Sequence, residues 1–218
     1  MVEFVGAATP LDGRTLGAAA GGLKVEPEAL WALAIVETGG CGFLLDRRPK
    51  LLFERHLFRR LTGSRFDMAH PAVSGPPGGY GAAGAHQYER LAEAIGLDRV
   101  AALKSASWGL GQTLGEYHHA AGYADVEAMV AAYVGSEAAQ LRGLAAFIGA
   151  DPVLLNALRA RDWASVARRY NGPNYAGSRY DRRLADAFAA VKAHGLPDWT
   201  VRAAGMAPML ALVPAPAR

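Results

Sequence analysis

Cysteine is almost missing from this chain: Cys41 stands alone among 218 residues. That excludes an intrachain disulfide framework and a zinc site built on several cysteines. Long apolar runs are missing too. None approaches the roughly 20 residues that cross a bilayer as a helix, so no stable membrane insertion is expected. The opening MVEFVGAATPLDGRT has neither the basic start nor the continuous apolar core of a secretory leader. Charge of one sign is equally scarce. Lys and Arg number 23 against 20 Asp and Glu, a net of +3, and basic residues gather no further than pairs such as Arg59-Arg60 and Arg182-Arg183. This balance permits an anionic partner but selects none, and nucleic acid is not expected. No glycine-rich loop follows a strand signal, which leaves nucleotide binding unsupported. His118 and His119 are adjacent, so on a helix they point apart and make a poor metal pair. Neither a metal nor a cofactor is expected.

What is present is a chain 51% hydrophobic and 20% charged, too apolar for disorder and long enough for one sizeable core. Helix signals dominate. Pro27 suits a first helical position, Glu28 the first turn, and an apolar run leads to Val36 before Gly39-Gly40 stop the helix. Further helices are predicted over 87–95, 99–105, 126–134, 137–148, 152–159, 163–170 and 179–194. Asp125, Ser136, Asp151, Asp162 and Ser178 stand where N-caps belong, and Gly195 where the last helix closes. Only 50–56 reads as a strand. Residues 62–85, rich in Gly, Pro, Ser and Ala, form a long loop, either a cleft wall or simply mobile. The tail after Gly195 carries Trp199 and ends in LVPAPAR; it is expected to pack back in part and fray at its end. The fold class is therefore mainly α (α+β), with a small β element, one domain over 1–195 and a tail over 196–218.

The helix LWALAIVETGG over 30–40 is apolar nearly all round, as a central buried helix would be. Glu37 follows Leu30 by seven residues, Leu33 by four and Ala34 by three, so its carboxylate leaves an apolar stripe. It also sits in the last turn, at the negative end of the helix dipole. Burial and dipole both disfavour its charged form, which a general acid working near neutral pH requires. The plainer alternative is a Glu satisfied by a buried Arg. Asp46 follows just before Arg47-Arg48-Pro49, and Glu54 lies inside LLFERH, where a strand would put Leu52, Glu54 and His56 on one face. A helix-end Glu opposite a second carboxylate can flank a glycosidic bond, although Glu54 could instead pair with a nearby arginine. Cys41, close to Glu37, has no basic activator in sequence and reads as a packing residue.

Three stretches resemble the phage and prophage N-acetylmuramidase family of endolysins. They are Glu37-Thr38-Gly39-Gly40 with RPKLLFERHLF over 48–58; ASWGLGQ over 106–112 with Gly115 and Tyr117; and WASVARRYNGP over 163–173 with Tyr175 and Tyr180. The similarity spans roughly 13–194, and LFERH is its most specific part. The same order is similar, more remotely, to goose-type lysozymes and lytic transglycosylases, from which Thr38 and Gly111 are mild departures. Many relatives carry an N-terminal wall-binding module; none is legible here, so wall targeting falls to the domain or its charge.

The resemblance implies a lysozyme-like fold over 1–195 and cleavage of the β-1,4 bond after N-acetylmuramic acid in peptidoglycan glycan strands. Glu37 would be the catalytic acid, with Glu54, or else Asp46, as the second carboxylate. Ser107 and Gln112 would meet sugar hydroxyls and N-acetyl groups, and Tyr170 and Asn171 would add a phenol and an amide from the opposite wall. Taken alone, Tyr170 suits a core and Asn171-Gly172-Pro173 a turn. The rivals are a lytic transglycosylase giving 1,6-anhydro products, and a catalytically silent wall-binding or virion domain. A monomer is expected, made in the bacterial cytoplasm and reaching the periplasmic wall through a holin-like pore or a secretion system.

Overall fold

The computed structural model describes residues 3–204. The LVPAPAR end of the tail lies outside them. The elements run α1 (Gly13–Leu23), α2 (Pro27–Thr38), β1 (Leu51–Phe53), α3 (Arg55–Leu61), α4 (His86–Leu97), α5 (Arg99–Lys104), β2 (Ala106–Trp108) and β3 (Thr113–Leu114). Then come α6 (Val126–Gly135), α7 (Glu137–Gly149), α8 (Pro152–Ala160), α9 (Trp163–Tyr170), α10 (Tyr180–His194) and α11 (Trp199–Ala204). This is a mainly helical fold with a small sheet.

Four predicted N-caps, Asp125, Ser136, Asp151 and Asp162, accept backbone N–H bonds at the starts of α6 to α9. Ser178 does not cap α10: its hydroxyl donates to the Tyr175 carbonyl, and Arg179, left-handed at φ 54°, begins the helix instead. Helix α1 has no counterpart in the sequence reading, because GRTLGAAAGGL carries too many glycines. It forms because Asp12 accepts from the Thr15 N–H at 2.7 Å, and because Leu16, Ala20 and Leu23 bury one stripe.

The strand predicted over 50–56 is shorter than expected. The Glu54 carbonyl accepts from the Leu57 and Phe58 N–H groups, so helix α3 starts at once and takes His56 out of any strand face. The sheet is antiparallel in the order β1-β2-β3, pairing Leu52 with Ser107 and Ser107 with Leu114. Strands β2 and β3 were not legible, being only three and two residues long.

Two apolar clusters organise the molecule. One surrounds α2 and includes Leu16, Leu141, Leu144, Val166 and Leu184; the other backs the sheet through Phe53, Phe58, Leu91, Trp108 and Tyr133. Helix α2 buries eight of its twelve residues, among them Leu30, Trp31 and Leu33. It is the central buried helix that its all-round hydrophobicity predicts.

The loop over 62–85 has no helix or strand, yet it is held throughout. Arg55 donates to the Pro71 and Pro76 carbonyls, and Arg90 to those of Ala72 and Tyr80. Gln87 donates to Tyr80 and Ala82. Gly79 lies so close that a Cβ there would meet the Arg55 guanidinium at 2.8 Å, and its φ of +64° independently favours glycine.

Candidate active site

Glu37 emerges half-buried from the last turn of α2, beside Val36 and Thr38, which are buried. Helix α10 packs along α2 and brings Tyr180, whose hydroxyl donates a hydrogen bond to Glu37 Oε1. Glu54 stands at the β1–α3 junction. Its N–H donates to the Ser105 carbonyl at 2.9 Å, which extends the strand pairing by one bond. Its carboxylate does not cap α3. Glu54 Oε2 and His56 Nδ1 approach to 3.4 Å; both atoms are buried, and neither makes a well-formed hydrogen bond among the described residues. So the strand phase was wrong, but the proximity of Glu54 and His56 that it suggested is present.

Glu37 and Glu54 line the same cavity, of about 330 Å³, together with Val36, Tyr80, Asn171, Asn174, Ser178, Tyr180 and Arg183. Helices α2 and α10 and the α9–α10 segment make one side. Glu54, at the β1–α3 junction, and Tyr80, on the arginine-held loop, complete the lining. Residues of this composition offer two carboxylates and several neutral donors and acceptors, which suits a polyhydroxylated ligand and proton transfer.

The other predicted site residues are placed differently. Asn171 lines the cavity. Ser107 lies buried in the middle strand, and Gln112 donates its amide to the Lys50 and Gly109 carbonyls from a left-handed backbone at φ 48°. The Tyr170 hydroxyl donates to the Gly111 carbonyl while its ring packs edge-on against Phe147. These three lie outside the lining of that cavity. Asp46 is bonded through Oδ2 to the Arg48 guanidinium at 2.5 Å and 2.8 Å, likewise away from the lining. Partial burial pushes its carboxyl up, but bonding to Arg48 outweighs this and holds it below the usual value.

Sequence reasoning missed three cations at the end of α2. Arg183 donates to the Val36 carbonyl, Lys50 to Thr38 and Arg202 to Gly40, each at 2.6 Å. A helix C-terminus leaves such carbonyls without intrahelical partners, and cations there offset the negative dipole end. These three cations sit at the negative dipole end beside Glu37, which the sequence reading of that helix end did not include. Tyr80, Asn174, Ser178, Tyr180 and Arg183 were also not selected. Tyr180 alone had a signal, as part of the family-like pattern; contacts between segments over a hundred residues apart leave no local trace.

An N-acetylmuramidase family model matches residues 26–192. The crystal structure of the Burkholderia AP3 phage endolysin superposes with a TM-score of 0.77 at 40% identity, over 86% of this chain and 73% of that one. No curated protein matches. The matched span begins one residue before α2 and closes inside α10, so it takes in both carboxylates and every residue lining their cavity, and on this evidence the chain belongs to the N-acetylmuramidase family of lysozyme-type glycosidases.

Proposed function

We propose that this chain hydrolyses the β-1,4 bond between N-acetylmuramic acid and N-acetylglucosamine in peptidoglycan. The observation that carries this reading is that Glu37 and Glu54, from separate elements, line one cavity. Glu37 donates its proton to the glycosidic oxygen as the bond to the anomeric carbon breaks. Glu54 takes a proton from the water whose oxygen bonds that carbon; alternatively it stabilises the positive charge developing there. Tyr180 holds the Glu37 carboxylate in place through Oε1. Asn171, Asn174 and Ser178 supply polar groups for sugar hydroxyls or acetamido groups. Asp46 is a poor second carboxylate, being tied to Arg48. The substrate lies beyond the inner membrane, so a pore or secretion system would deliver the enzyme to it.

Replacement of Glu37 by Gln tests the assignment directly. Gln is nearly isosteric but cannot donate the proton, so lysis of outer-membrane-permeabilised cells should fall by about 10²–10⁴-fold with the circular dichroism spectrum unchanged. A folded Glu37→Gln protein that clears walls near the wild-type rate would overturn this reading.

A further inference from the structure

The family match ends at residue 192, but the chain continues into α11, which returns to the end of α2. Trp199 packs edge-on against Trp31 with ring centroids 5.3 Å apart. The Arg202 guanidinium lies 5.4 Å from the Trp31 ring and 5.7 Å from that of Trp199. Arg202 reaches the Gly40 carbonyl at 2.6 Å and Glu137 Oε2 at 2.5 Å, with one-tenth of its side chain exposed and only 2% of that of Glu137. Glu137 in turn accepts the Gly42 N–H at 2.6 Å and the Leu11 N–H at 2.7 Å. One buried ion pair therefore ties together α11, α7, the N-terminal segment and the turn after α2.

That turn is capped from within, the Gly39 N–H bonding the Ile35 carbonyl at 2.8 Å and the Gly40 N–H that of Ala34 at 3.1 Å, and side chains from outside the helix hold it further. Gly39 and Gly40 sit at φ +67° and +76°, and glycine in that region resists displacement less than any other residue. Glu37 lies two residues before it. The carbonyls on either side of Glu37, of Val36 and Thr38, are fixed by Arg183 and Lys50, and Arg202 fixes that of Gly40. A Cβ on Gly40 would meet Trp31 at 2.8 Å, so the turn also rests on the ring that Arg202 covers. Buried ion pairs seldom raise stability over apolar replacements, so stability alone is a weak account of this one.

We propose that Arg202, seated on Trp31 and Trp199 and paired with Glu137, is a positioning residue that fixes the aim of the Glu37 carboxylate. This rests on the assignment of Glu37 as the acid. Misplacing a reacting group by an ångström lowers rate far more than it lowers binding. The consequence therefore belongs in kcat, with KM little changed.

The decisive variant is the full-length double substitution Arg202→Met with Glu137→Gln, which removes both charges together and leaves no uncompensated buried ion. Rates are measured on soluble, uncross-linked peptidoglycan strands by release of reducing ends, well below the melting temperature. The expected result is a kcat lower by about tenfold or more with KM within roughly twofold of wild type. Arg202→Lys keeps the charge but loses the planar guanidinium that lies over Trp31 and Trp199 and the second nitrogen that bonds the Leu11 carbonyl, so its kcat should fall between the two. A folded double variant with wild-type kcat, whatever its melting temperature, overturns the proposal. Should the double variant not fold, Arg202→Lys decides, and an unchanged kcat there overturns it equally. Glu37→Gln measured in parallel separates the two failures: if that variant stays active, the acid assignment fails; if it alone is inactive, only the positioning role fails.

Discussion

Tyr180 donates its hydroxyl hydrogen to Oε1 of Glu37, joining residues 143 positions apart. The phenol is buried, and its helix packs along the one that carries the carboxylate. A hydrogen bond from a fixed donor sets the direction in which a carboxyl presents its other oxygen.

Tyr180→Phe should therefore keep the fold and lose rate. Hydrogen bonds to charged groups contribute about 1.5–3 kcal/mol, and a loss of that size at the acid corresponds to roughly ten- to hundredfold in kcat. Reducing-end release from purified peptidoglycan measures it. A rate equal to wild type would remove Tyr180 from the machinery.

Glu54→Gln should lower hydrolysis by about 10²-fold or more if Glu54 handles water or charge at the anomeric carbon. Mass spectrometry of wild-type digests should show reducing-end N-acetylmuramic acid. Anhydro products, or a fully active Glu54→Gln variant, would favour a transglycosylase, in which the C6 hydroxyl of the substrate attacks.

Burial pushes the Cys41 thiol above the ordinary 9.0, helped by the nearby Glu137 charge and opposed by the Phe43 backbone, Lys50 and Arg202. The thiolate is the reactive form, so alkylation by iodoacetamide at neutral pH should be slow in the folded protein and fast in urea. The sign for stability follows. The folded state holds this proton longer than the unfolded chain, so the stabilisation is complete below 9.0 and is lost as pH rises through the folded value. Equal alkylation rates in folded and unfolded protein would contradict the assignment.

Acid should act in the opposite sense on the capping aspartates. Asp12 lies below the ordinary 3.8 because it accepts hydrogen bonds from Thr15. Asp151 does so although burial pushes it up, because its bonds to Arg169, Leu154 and Val153 outweigh that. Carboxyls lowered by folding contribute stability above 3.8 and lose it as pH falls through their folded values. The melting temperature should drop below about pH 4, and Asp151→Ala should cost about 1 kcal/mol at neutral pH but little at pH 2. A pH-independent penalty would show that capping by Asp151 does not depend on its charge.

Local signals made the long helices legible. Asp162 before Trp163 and Pro152 after Asp151 each mark a start by their own chemistry, and the all-round apolar run around Leu33 identifies the central helix. Glu37 could be found because a carboxylate on that surface is conspicuous. The rest was harder to read. Strand β3 has two residues, and the Glu54 backbone turns helical within one, so period-two reasoning had nothing to count. The Gln112 amide is engaged with carbonyls that its own left-handed backbone brings near, a conformation its sequence does not announce. Lys50, Arg183 and Arg202 converge on one helix end from three distant segments; nothing in their neighbours distinguishes them from the other 20 basic residues.

Around Tyr80 the cavity wall is gripped through its main chain. Arg55, Gln87 and Arg90 bond to the carbonyls of Pro71, Ala72, Pro76, Tyr80 and Ala82, groups that every amino acid shares. Exposed residues such as Ala72 and Ala82, which lend only their carbonyls, can therefore change without moving it, while the same three anchors keep its course. Because Gln87 and Arg90 hold the Tyr80 carbonyl, exchange of the Tyr80 side chain alters the lining of the cavity without removing those two bonds.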